Sequence, residues 1–190
     1  VTPATLEGVP EQFHDFFVAS AGVSGALIGL LFVASAVAPE RIVQSSAPIR
    51  AQESAAGAYL VLVDTLFVAL AALIPGNSLA VVVPLMAGIG IVGTLVFAGI
   101  TVLEVRRPDV RWIWHRLLSL AFFSWQLVLG FQLATGNWRT ATLTTLASLS
   151  LAFYAIGITR AWQLLGGTGH GILDGIALWR SRHGTGTTRE

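Results

Sequence analysis

Five stretches of this chain, 13–38, 51–74, 79–105, 112–134 and 138–165, run with almost no charged residue. A helix needs about 20 mostly apolar residues to cross the hydrocarbon core of a bilayer, and each stretch is at least that long. The expected fold class is therefore all-α, a polytopic transmembrane helical bundle of about five spans. Composition agrees: 54% of the 190 residues are hydrophobic and 11% charged, with a mean hydropathy of +0.74, against roughly 25% charged in an ordinary soluble domain. So few charged side chains cannot cover a soluble surface, which sets soluble enzymes aside. The formal net charge of +1 and the lack of a basic run argue against a nucleic-acid partner. With no cysteine, disulfides, thiol catalysis, iron–sulfur clusters and thiolate zinc sites are excluded.

The separators between spans carry turn and helix-stop residues: Pro39-Glu40-Arg41, Pro75-Gly76-Asn77, Arg106-Arg107-Pro108-Asp109 and Thr135-Gly136-Asn137. The second and fourth are very short, which makes spans two and three, and spans four and five, antiparallel hairpins. Arginine sets the orientation, because positively charged loops stay cytoplasmic. Arg41, Arg50, Arg106, Arg107, Arg111, Arg116, Arg160, Arg180, Arg182 and Arg189 fall on one side, and only Arg139 on the other. The N-terminus is thus expected outside and the C-terminus in the cytoplasm, with Trp112, Trp114, Trp138 and Trp162 as interfacial anchors.

Span one ends in Ala36-Val37-Ala38, the small-x-small pattern of a signal-peptidase site. No Arg or Lys precedes it, Glu7, Glu11 and Asp15 do, and Pro39 follows it, so span one is expected to stay as a helix. Residues 1–165 make up the transmembrane helical domain. In 166–190 a Gly-rich linker leads to a short amphipathic interfacial helix carrying Ile172, Leu173, Ile176 and Trp179, then to a polar cytoplasmic tail. No Gly-Lys-Ser/Thr follows the glycines, so they are not a phosphate loop. All basic residues are Arg, beside heavy Ala, Gly and Val usage. That skew fits a high-GC bacterial genome, and the expected location is the bacterial inner membrane, as a multi-pass protein.

Ionisable side chains inside a bilayer are costly and usually face the bundle interior, pair, or line a pathway. Asp64 sits near the middle of span two. Eleven helical steps return to nearly the same face, so Glu53, Gly57, Leu60, Asp64, Phe67 and Ala71 form one stripe that should avoid lipid. At about the same level lie Ser24, Thr94, Gln126, Ser148 and Ser150, candidate partners for the Asp64 carboxyl. One reading makes this an intramembrane polar site on an ion pathway; the other makes Asp64 a hydrogen-bonded helix glue. Gly90, Thr94, Phe97, Thr101 and Glu104 share one face of span three and would continue a polar path.

Nearer the cytoplasmic edge, Glu53, Glu104, His115, Arg116 and Arg160 approach one level. Pairing of Arg160 with Glu104 or Glu53 would offset its desolvation, and such a network can also serve as a gate. Span one has the smallest side chains: Asp15, Ala19, Gly22, Ala26, Gly29, Val33 and Ala36 follow a 4-3-4-3 spacing, with Gly25 and Gly29 as a Gly-xxx-Gly pair. Gly22, Gly25 and Gly29 are expected to permit close helix packing, within the subunit or across a symmetric interface. A sharper reading makes span one line a pore on an oligomer axis, with Asp15 and Glu11 as an outer ring.

No catalytic motif occurs: His-Glu-x-x-His, Gly-x-Ser-x-Gly and paired catalytic carboxylates are all missing, and the histidines are not placed to hold a haem at matched depth. No enzyme, cofactor or metal is expected. The run Phe16-Phe17-Val18-Ala19-Ser20-Ala21-Gly22-Val23-Ser24-Gly25-Ala26-Leu27-Ile28-Gly29-Leu30-Leu31-Phe32-Val33-Ala34 resembles the opening helix of uncharacterised small polytopic membrane proteins of high-GC actinobacteria. The resemblance covers the first two spans and implies a polytopic helical fold without implying an activity. The expected function is an oligomeric integral membrane protein providing an ion or small-solute pathway, channel- or transporter-like. The alternative is a non-catalytic accessory or scaffold subunit of a membrane complex. Expected partners are the lipid bilayer, further copies of the chain and a membrane-protein partner.

Overall fold

The computed structural model describes residues 9–37, 49–76, 78–104 and 110–164, and the regular structure among them is entirely helical. After a 3-10 turn at Glu11–Phe13, α1 covers His14–Val37, α2 Ile49–Leu73, α3 Ser78–Glu104, α4 Val110–Ala134 and α5 Thr140–Leu164. All 5 helices are long and apolar enough to cross a membrane. Their ends fall within a residue or two of the apolar stretches, the usual uncertainty of a helix boundary. The tail beyond Leu165, with its expected interfacial helix, lies outside the described residues, as do Ala38 and Glu40.

Local chemistry explains the helix ends. At the end of α4, Gly136 takes φ +82°, its N–H donates to the Leu133 carbonyl over 3.0 Å, and the Asn137 N–H donates to the Gln132 carbonyl over 2.9 Å. That pairing closes the last turn with a left-handed glycine, the Schellman arrangement. Beyond α2, Gly76 takes φ +104° after Pro75, and the Ser78 hydroxyl donates back to the Ala71 carbonyl over 2.7 Å. Both short connections therefore reverse the chain, as their turn residues require.

α2 is the hub. It packs against α1, α3 and α5, while α3 packs along α4, and α4 and α5 meet over a shorter length. In the apolar window of α2, 56% of residues are buried inside the bundle, against 22% for α1, which makes α1 the outermost helix. The core runs through Phe17, Val68, Val83, Phe123, Leu143 and Phe153, with the Phe123 and Phe153 rings 5.0 Å apart.

Close approach depends on glycines outside α1. A Cβ at Gly130 would stand 2.7 Å from the backbone nitrogen of Pro84, and one at Gly157 would stand 3.0 Å from the Leu62 side chain. Gly90 carries the Phe123 ring on its face, and Gly57 carries the Arg160 guanidinium. Pro84, which lacks a helical donor inside α3, is accommodated by the missing side chain of Gly130.

The outward surface is almost wholly hydrocarbon. Leu30, Phe32, Val81, Val92, Leu117 and Phe131 are among its exposed residues. A continuous apolar exterior of this kind matches lipid and no aqueous surface.

Candidate functional site

The mid-helix polar residues form two hydrogen-bonded groups that meet α2 at adjacent residues. Asp64 is 3% exposed, and its Oδ1 accepts a hydrogen bond of 2.9 Å from Nε2 of Gln126 on α4. Thr65, the next residue, is bonded from α1. The Ser24 hydroxyl of α1 donates to Thr65 Oγ1 over 3.2 Å and lies 2.8 Å from the Tyr154 hydroxyl of α5. Tyr154 donates to the Ser20 carbonyl over 2.7 Å and also bonds the Ser20 hydroxyl. Adjacent residues of α2 thus tie it to α4 and α1, since consecutive helical positions point about 100° apart, and Tyr154 extends the second group to α5.

Of the candidate partners for Asp64, this geometry brings one, Gln126, into contact. Ser24 bonds Tyr154 and Thr65 instead. Thr94 is buried but donates to the Gly90 carbonyl of its own helix over 2.8 Å, and Ser150 likewise donates to Leu146. Ser148 is exposed, with its hydroxyl folded back on Thr144. Its face of α5 turns away from Asp64 because Leu149, Phe153 and Leu146 fill the core side. The stripe through Asp64 faces inward at Glu53, Gly57 and Ala71, whereas Phe67 is 48% exposed. The stripe spans about 80° of the helix circumference at about 100° per residue, and Phe67 falls at its margin.

A second constellation joins α2, α4 and α5 where α2 begins and α5 ends. Arg116 Nη2 lies 2.9 Å from Glu53 Oε1, with both side chains largely buried. Arg160 Nη2 donates to the Ser119 hydroxyl over 2.8 Å, and its guanidinium rests on Gly57. Glu53 pairs with Arg116; the expectation from sequence pairs Arg160 with Glu104 or Glu53. Arg160 still stands within electrostatic reach of both Arg116 and Glu53. The side chains of Glu104, His115 and Thr101 lie outside the described residues.

The small-residue seam of α1 does not pack inside the protomer. Asp15, Ala19, Gly22, Ala26, Gly29, Val33 and Ala36 are all exposed, as is Gly25. A Cβ at Gly22, Gly25 or Gly29 would meet nothing within 4 Å. α1 turns its other face inward, through Phe17, Ser20, Ser24 and Leu31. Glu11 and Asp15 are exposed at the start of the same helix, and Glu11 and His14 line a cavity of about 220 Å³ with Val9 and Ala72.

Sequence reasoning does not single out Tyr154, Thr65 or Ser119. One signal was available for Tyr154: a phenol in an apolar span needs a partner for its hydroxyl, and Ser20 and Ser24 repeat at a spacing that puts both on one face. Among the described residues no group of three or more His, Cys, Asp or Glu is placed to hold a metal ion. Compared with known proteins, the chain matches no family model, no curated protein and no solved structure. The five long apolar helices are compatible with a multi-pass membrane protein.

Proposed function

We propose that this integral membrane protein self-associates through the seam of α1, and that the assembly, not the single protomer, provides a pathway for an ion or small solute. The observation that carries this reading is the empty space over Gly22, Gly25 and Gly29, set beside the filled space over Gly57, Gly90, Gly130 and Gly157. Those four glycines mark places where another element comes close, whereas Gly88 and Gly99 of α3 stand open like the glycines of α1. Lipid gives no reason to keep glycine on a helix surface, where it weakens the helix by about 1 kcal/mol relative to Ala. Small residues in register instead allow two helices to approach. Asp15 and Glu11 lie at one end of that seam and would ring the mouth of such an assembly. The seam, with its small side chains, is better suited to line a shared passage than the bundle interior, where Ser24 and Asp64 are already bonded to neighbouring helices and Thr94 to its own backbone.

In this reading the N-terminus is outside and the Arg-rich side is cytoplasmic, in a bacterial inner membrane, and the protein has no catalytic role. The charge cluster of Glu53, Arg116 and Arg160 would hold the cytoplasmic end of the bundle. A second reading, an accessory or scaffold subunit, is favoured by the use of the interior polar groups as helix-to-helix ties. It predicts the same self-complementary seam but no flux.

Oligomeric mass in a mild detergent, together with solute flux into reconstituted vesicles, tests both. The pathway reading expects an oligomer and flux in wild type, with Gly25→Leu and Gly29→Leu reducing the mass to a monomer and abolishing flux. Flux that is altered by Asp15→Asn or Asp64→Asn would further assign those carboxyls to the route. An oligomer without flux establishes the accessory reading, and a monomeric wild type overturns both.

A further inference from the structure

Gln126 is 1% exposed and uses only part of its amide. Nε2 donates to Asp64 Oδ1 over 2.9 Å, while Oε1 is buried without a hydrogen-bond partner. An unpaired buried acceptor keeps its full desolvation cost, and the surrounding hydrocarbon supplies no water to relieve it. Such an atom in a packed bundle calls for a donor.

The chemistry of the pair names that donor. A primary amide and a carboxyl group match on both sides when the carboxyl is in its acid form. The amide N–H then meets the carbonyl oxygen, and the acid O–H meets the amide oxygen, closing a ring of two hydrogen bonds. With a carboxylate, the second bond has no hydrogen. The observed bond to Oδ1 is the first half of this ring, and the orphaned Oε1 is the acceptor of the second. Exchanging the two amide atoms does not remove the demand, because an amide oxygen facing Asp64 would again need a proton on the carboxyl.

Among the described residues, no cation takes the place of that proton. On α2 itself the titratable neighbours are Tyr59 and Glu53. From α4 comes Arg116, engaged with Glu53, and from α5 come Tyr154, bonded to Ser20 and Ser24, and Arg160, bonded to Ser119. Glu53 lies eleven residues from Asp64 along α2, and Gly57, which marks the position of Arg160, lies seven. α1 contributes His14 and Asp15, both exposed at its first turn, and α3 contributes only Glu104 at its last residue. A hard metal ion is a poor alternative, since it takes about six oxygen ligands and this pair presents a single carboxyl and a single amide oxygen.

We propose that Asp64 and Gln126 form a proton-binding site, in which Asp64 Oδ2 carries an exchangeable proton hydrogen-bonded to Gln126 Oε1. Taking up the proton converts carboxylate to acid and closes the second bond between α2 and α4; releasing it to water opens that bond, with no electron transferred. The site lies within one protomer and needs neither the α1 seam nor flux, so it goes beyond the pathway reading.

Infrared difference spectroscopy of the protein in lipid, stepped from acid to alkaline pH, tests it. The expected result is a protonated-carboxyl C=O band that titrates away, is lost in Asp64→Asn and moves to higher frequency in Gln126→Leu, where the amide partner is removed. A band that does not depend on Asp64, that ignores Gln126→Leu, or that never titrates overturns the proposal. An apolar carbodiimide, which reacts with protonated carboxyls, gives a second reading on wild-type protein alone. Modification should map to Asp64 and fall as pH rises; modification that misses Asp64 or ignores pH counts against the site. Neither measurement depends on oligomeric state or transport, so its failure leaves the seam and pathway reading untouched.

Discussion

The guanidinium of Arg160 lies over Gly57, in the space that a side chain on α2 would otherwise fill. Arg160 interrupts an apolar helix and still reaches a polar partner, Ser119 on α4, because α2 has no Cβ at that point. Replacing Gly57 with Leu should push the guanidinium off Ser119 and overfill the α2–α5 contact, at a cost of about 1–3 kcal/mol. Gly57→Ala should cost less, because the end of a long side chain can shift to make room. Unfolding of both variants in detergent checks the order.

The bond between Glu53 and Arg116 brings a like charge, Arg160, into its neighbourhood. Glu53→Gln leaves two guanidinium groups with less compensation and should destabilise by about 3 kcal/mol. Removing Arg116 as well, as Glu53→Gln/Arg116→Gln, should cost less than the sum of the single changes. A double-mutant cycle measured by unfolding in detergent reports the coupling directly.

Two glycines on the α3–α4 hairpin should behave oppositely. In Gly130→Ala the new Cβ meets the backbone of Pro84 at 2.7 Å, and a backbone atom cannot swing aside. The expected loss is about 1–3 kcal/mol. Gly88 has nothing within 4 Å, so Gly88→Ala should be neutral or stabilise by up to about 1 kcal/mol through helix propensity. Equal effects in thermal unfolding would contradict the packing.

Tyr154→Phe removes one hydroxyl that serves the Ser20 carbonyl and two serine side chains. The expected cost is about 1 kcal/mol, the scale of side-chain hydrogen bonds between membrane helices. Ser20→Ala should cost less, because the Tyr154 hydroxyl keeps its backbone acceptor and Ser24. Measuring both by unfolding in detergent separates the phenol from the serine.

Span number and span limits were legible because hydrocarbon enforces a long apolar run, and such a run can be read from neighbouring residues alone. The turn chemistry of Pro75-Gly76 and Thr135-Gly136-Asn137 was equally local. Placing Asp64 in the bundle interior followed from the cost of a carboxyl in lipid, a property of the residue itself. Which partner meets it did not follow. Ser24, Thr94, Gln126 and Ser148 share a level along their helices, and a level says nothing of rotation about each axis.

Tertiary packing settled that rotation: Gln126 to Asp64, Ser24 to Tyr154 and Thr65, Ser148 outward. It settled the glycines in the same way. Gly25 and Gly29 carry the recognisable spacing, yet the close approaches inside the protomer fall at Gly57, Gly90, Gly130 and Gly157. Spacing along one helix defines a face, but the identity of the neighbour against that face depends on how five helices share α2. The sequence by itself determined an all-helical chain with five membrane-length spans and an interior acid. Only the tertiary structure decided which helix satisfies that acid and which small-residue face is left open, because both depend on the relative rotation of helices distant in sequence.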